Sequence, residues 1–195
     1  MSIFSRYCLG LASLWLAGCN EPATQGVAFM NELPAKMNVS VAGNITEVMP
    51  ARHVVVQVPT TKGQSITLYS SGNKIEEYQM GVTPQLMGNL EDRVLVLVQP
   101  VRLTSRIWKA DYTGLYANHE ADWKGPISGW EDLSNRKIYR FPYKDCELSF
   151  PEERVPPTLM KGHMLFRMLR TPVATRPGDL DGIARNQAKT NAGKQ

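Results

Sequence analysis

Val94-Leu95-Val96-Leu97-Val98 is an unbroken apolar run. A run of this length with no polar residue on alternate positions reads as a strand buried on both faces, so it marks the centre of the fold. Upstream the pattern alternates. Met37, Val39 and Val41 are interleaved with Asn38, Ser40 and Ala42, and Gly43-Asn44 then offers a tight hairpin turn, with Ile45 to Met49 returning. In His53 to Val58 the residues Val54, Val56 and Val58 share one face, and Pro59 stops the strand. Gln64 to Ser70 follows a turn at Gly63, places Ile66 and Leu68 together, and ends at Ser71-Gly72-Asn73.

Lys74 to Met80 is expected to form about two helical turns. Thr83 can cap a short helix with Pro84 at its first position, where a missing N–H costs nothing, and Gly88-Asn89 would end it. Later strands are expected at Arg136 to Phe141, Asp145 to Phe150 and Met164 to Leu169. In the last of these Leu159, His163, Phe166 and Arg170 also fit a helical stripe, but Gly162 and β-prone neighbours favour a strand. Short strands separated by turn residues define a mainly β domain over residues 37–172. It is read as a small antiparallel sandwich or barrel-like unit with one or two short helices. Residues 19–36, broken by Pro22, Gly26 and Pro34, read as a tether, although Val27-Ala28-Phe29-Met30 is apolar enough to dock. Residues 173–195 read as a disordered basic tail.

Strong catalytic constellations do not stand out. The chain has no Gly-rich phosphate loop, no HExxH and no Gly-x-Ser-x-Gly. His53, His119 and His163 are far apart in sequence. The polar stretch Asn118-His119-Glu120-Ala121-Asp122 could hold a metal weakly, but a polar loop is the simpler reading, because zinc sites draw further ligands from elsewhere. The expectation is a non-enzyme with no cofactor and no metal. Cys146 alternates with Leu148 and Phe150 and reads as a buried apolar thiol.

Aromatic residues crowd one region: Trp108, Tyr112, Tyr116, Trp123 and Trp130, interspersed with Gly114, Gly125, Pro126 and Gly129. A long excursion on a β scaffold is a common place for binding. Three uses compete: core packing, a protein interface and stacking on sugar rings. The five residues form the candidate interaction surface.

The N-terminus carries its own signal. Arg6 is followed by an apolar run from Cys8 to Ala17, and then by Gly18, Cys19, Asn20, Glu21 and Pro22. The run suits the core of an export signal and is too short to span a bilayer, for which about twenty residues are needed. An ordinary secretory signal and a transmembrane anchor are the rival readings. The tetrapeptide Leu16-Ala17-Gly18-Cys19 resembles the lipobox of bacterial lipoproteins. That resemblance, confined to the N-terminus, implies removal of residues 1–18 and lipidation of Cys19, and Asn20 after the cysteine implies the outer membrane. With Cys8 removed and Cys19 acylated, Cys146 would remain alone, leaving no intramolecular disulfide.

The chain has 195 residues, 43% of them hydrophobic, and a net charge of +4. Loss of Arg6 would leave +3, of which +2 belongs to residues 173–195. The body is therefore near neutral, and no clustered cationic face points to nucleic acid. These readings converge on a periplasm-facing outer-membrane lipoprotein. Its expected role is structural, within an envelope complex such as a secretion, conjugation or pilus apparatus, with protein partners. The alternative is a module that binds peptidoglycan or another glycan through the aromatic region and basic tail.

Overall fold

The computed structural model describes residues 23–89, 91–114, 129–141, 145–156, 158–184 and 186. It is mainly β, with twelve strands among the described residues: β1 (Thr24–Asn31), β2 (Met37–Val41), β3 (Asn44–Val48), β4 (Arg52–Pro59), β5 (Ser65–Ser70), β6 (Asn73–Gln79), β7 (Arg93–Val98), β8 (Ser105–Asp111), β9 (Glu131–Asp132), β10 (Ile138–Phe141), β11 (Cys146–Ser149) and β12 (Met164–Pro172). They form three four-stranded sheets, ordered β10-β7-β1-β4, β3-β2-β5-β6 and β11-β12-β8-β9. The sheets stack as a sandwich and none closes into a barrel.

β7 lies inside the first sheet, between β10 and β1, and that sheet is the middle layer. Val94 and Val96 pack with Val27, Phe29, Met37, Val39, Ile66 and Leu68, which joins the middle sheet to the second sheet. Leu95 and Leu97 point the other way, to Ala28, Met30, Ile107, Phe166 and Met168, which joins it to the third. A strand wet on neither face has no reason to alternate, and its continuous apolar run follows. The third sheet in turn buries its outer side, where Trp108, Ala110, Leu165 and Leu169 pack on Leu180 and Ala184 of a short helical segment near the C-terminus.

Four expectations are corrected. Residues 24–31 are not spacer. They form β1, parallel to β7 and antiparallel to β4, and Val27, Phe29 and Met30 are fully buried. Like β7, β1 is covered on both faces and shows no period. Residues 74–80 are not helical: β6 pairs with β5 across the Ser71-Gly72 turn, where both φ values are positive. β6 is an outer strand with one wet face, so its charges (Lys74, Glu76, Glu77) mimic a helix surface. The tail is ordered through Ala184, because Leu180 and Ala184 are buried. The aromatic excursion begins as β8, paired with both β12 and β9.

The remaining elements agree with the sequence reading. β2 and β3 make the hairpin, but it turns one residue earlier than expected: Ala42 and Gly43, with φ of 48° and 83°, form the two-residue primed turn, and Asn44, expected in the turn, pairs with Val41 as the first residue of β3. Pro84–Leu86 is a 3-10 turn. Thr83 precedes it without capping it: its hydroxyl accepts instead from Gln79 N at 3.2 Å.

Candidate interaction site

The aromatic residues divide. Trp108 and Tyr112 are core, 3% and 1% exposed. Trp108 Nε1 donates to Thr171 Oγ1 at 2.9 Å. Trp130 is half-buried, meets Tyr112 edge-on at 6.0 Å between ring centroids, and donates from Nε1 to Asp181 Oδ1 at 2.8 Å. These three latch the C-terminal helical segment to the third sheet and do not form an open platform. Tyr116 and Trp123 lie outside the described residues, as do Cys19 and the stretch from Asn118 to Asp122.

His163 Nδ1 lies 3.5 Å from Glu147 Oε1 at the edge of the third sheet. Cys146 is a buried free thiol, and its pKa is raised by that burial. Among the described residues, no group of three or more His, Cys, Asp or Glu is arranged to hold a metal ion.

His53 belongs to a charged cluster that no local sequence pattern announced. It sits at the start of β4, and its ring stacks on Phe150 at 3.5 Å. Nδ1 is 2.6 Å from Glu152 Oε1, and Nε2 is 3.2 Å from Glu153 Oε1. Arg170 of β12 reaches Glu152 at 3.9 Å and grips Glu32, just past β1, through Nε and Nη2. Ser105 Oγ adds a bond to Glu32 at 2.9 Å. The cluster thus stitches the middle sheet to the third sheet. Both imidazole nitrogens are committed to carboxylates, which makes His53 a charged strut and a poor proton acceptor.

A pH prediction follows. Burial alone would lower the His53 pKa, but hydrogen bonds and charge from Glu152 and Glu153 outweigh it and raise it to about 9. For Glu152 and Glu153, burial alone would raise the pKa, and their bonds to His53 outweigh it and lower it. This is one attraction seen from both sides, so it counts once. From the histidine side it is complete below 6.5 and lost as pH rises through about 9. From the carboxylate side it is complete above 4.5 and lost as pH falls below that. Stability should peak between those limits and fall by on the order of 2 kcal/mol by pH 10. His53→Gln should flatten the alkaline limb in urea melts across pH. An unchanged limb would remove His53 as its source.

A groove of about 640 Å³ opens at the end of the sandwich where β1 and β7 finish. Leu33, Ile75, Val98, Pro100, Val101 and Leu103 make it apolar, and the Lys137–Glu76 ion pair (2.7 Å) crosses one wall. Val101 is fully exposed and Ile75 is 40% exposed. Asn31 shapes this end: its Nδ2 donates to Ala35 O and Val48 O, each at 2.9 Å, and its Oδ1 accepts from Leu33 N. Open apolar surface of this kind is a candidate contact for another molecule.

Compared with known proteins, the chain matches no family model, no curated protein and no solved structure.

Proposed function

We propose that this chain is an outer-membrane lipoprotein whose β domain holds a place in an envelope assembly and presents its apolar groove to a protein partner. The observation that carries this reading is the polarity of β1. The strand begins at Thr24, close behind Cys19, and its far end leads into Leu33 at the groove. Eight strand residues at about 3.3 Å each set the groove roughly 25 Å from the point where the chain enters the fold. A lipid on Cys19 would therefore hold the domain by one end and leave the groove at the other. Two or more acyl chains suffice for a stable anchor.

Among the described residues Trp108 and Tyr112 are buried and Trp130 is bonded to Asp181, so the glycan-binding alternative would rest on Tyr116 and Trp123, which lie outside them, and on the basic tail. The test combines fractionation with a groove variant. Cells producing the full chain should retain it in outer-membrane fractions with a fatty substituent on Cys19 by intact mass. Val101→Glu should leave that fractionation and the urea midpoint unchanged, yet lose cross-linked heteromeric species. A soluble, unacylated protein would reject the anchor. Unchanged cross-links would reject the groove.

A further inference from the structure

We propose that the end of the sandwich bearing the 80–88 loop is a membrane-contact face that rests on the lipid surface with Val82 and Met87 against it. This rests on the lipoprotein reading above, and the geometry adds which face meets lipid. Ala23 is already fixed: its carbonyl accepts from Thr60 N at 2.9 Å and from Thr60 Oγ1 at 2.8 Å. Only four peptide steps separate it from Cys19 (positions 19 to 23), a reach of at most about 14 Å. An acyl anchor at Cys19 therefore brings this end of the fold to the headgroups.

The surface around that entry point has the character such a position needs. The turn after Thr60 joins the 80–88 loop through Gly63 N to Met80 O (3.3 Å) and Met80 N to Gln64 O (2.8 Å). The loop buries Met80 and Leu86, at 2% and 0%, but leaves Val82 59% and Met87 46% exposed. It is held rather than loose. Arg140 Nε donates to Gln85 O at 2.8 Å, and Arg140 Nη1 is 3.0 Å from Asp92 Oδ2. Lys62 packs its stem beside Gly81, while Arg93 at the start of β7 donates from Nε to Cys146 O at 3.4 Å, and Glu91 and Asp145 are exposed acids in the same region. Two exposed apolar side chains with the exposed Lys62 beside them suit the boundary between headgroups and acyl chains.

The test uses the acylated full chain, produced with its own N-terminus and placed on phosphatidylethanolamine–phosphatidylglycerol vesicles. Val82→Cys, Met87→Cys and Val101→Cys are each labelled with a fluorophore, and the parent chain serves as the blank because Cys146 is buried. Nitroxide-bearing lipids should quench labels at 82 and 87 severalfold more than the label at 101 on the opposite end. Equal quenching at all three, or stronger quenching at 101, on chains that float with the vesicles overturns the contact face and leaves the anchor standing. Chains that do not float overturn the anchor and this face with it. Protection of 82 and 87 from lipid quencher together with a blue-shifted emission would assign the loop to a protein neighbour, which also overturns the proposal.

Discussion

Phe29→Ala should lower the stability of the domain by about 3–5 kcal/mol, the range for emptying a large aromatic from a rigid core. Phe29 is fully buried on β1, with Val54 across one side and Val96 across the other, and it faces the second sheet. β1 itself is held by ladders on both edges, to β4 and to β7, so the cavity cannot collapse easily. A loss of that size is a large share of the roughly 5–15 kcal/mol that holds a typical domain. Urea unfolding should show a lower midpoint at unchanged slope. Ile45→Ala, on β3 and 66% exposed, is the control and should change stability by no more than about 0.5 kcal/mol. A Phe29 variant that behaved like the Ile45 variant would return residues 24–31 to the role of spacer.

That contrast shows where sequence reading succeeds. Strands with one wet face declared themselves: β2, β4 and β5 alternate, and the glycines between them sit at turns. β7 was legible because five apolar residues in a row leave no other economical reading. β1 has the same double burial, but Gly26 near its start and polar Gln25 and Asn31 inside it broke the run, and both polar residues turned out to be buried. β6 failed for the opposite reason: as an outer strand its charges face water, and Lys74 and Glu77 pair at helical spacing (2.9 Å) while the backbone stays extended. The site was less legible than the fold. The aromatic residues were visible as composition, yet their burial depends on Leu180 and Ala184, far along the chain. Glu32 and Arg170 are 138 positions apart, and no local pattern links them. The groove is assembled from Leu33, β6, the end of β7 and the segments 99–103 and 134–137, and carries no motif at all.

Removing the Glu32–Arg170 pair one side at a time should give unequal losses. Arg170 contacts the carboxylate through Nε at 2.9 and 3.1 Å and through Nη2 at 2.5 Å. The Glu32 side chain is 3% exposed and that of Arg170 is 23% exposed. Glu32→Leu leaves a guanidinium that can turn toward solvent and toward Glu152, 3.9 Å away. Arg170→Met leaves a carboxylate with Ser105 Oγ as its remaining side-chain partner and no route to water. Stripping one partner from a buried pair costs about 3–5 kcal/mol, and Arg170→Met should approach that figure. Glu32→Leu should cost roughly half as much, because Arg170 keeps part of its hydration. The double variant replaces two charges with apolar volume and should be more stable than Arg170→Met alone, which gives a coupling energy above about 1 kcal/mol. Strict additivity in the urea midpoints would mean that the pair contributes nothing specific. The seam between the middle and third sheets would then rest on its apolar contacts alone.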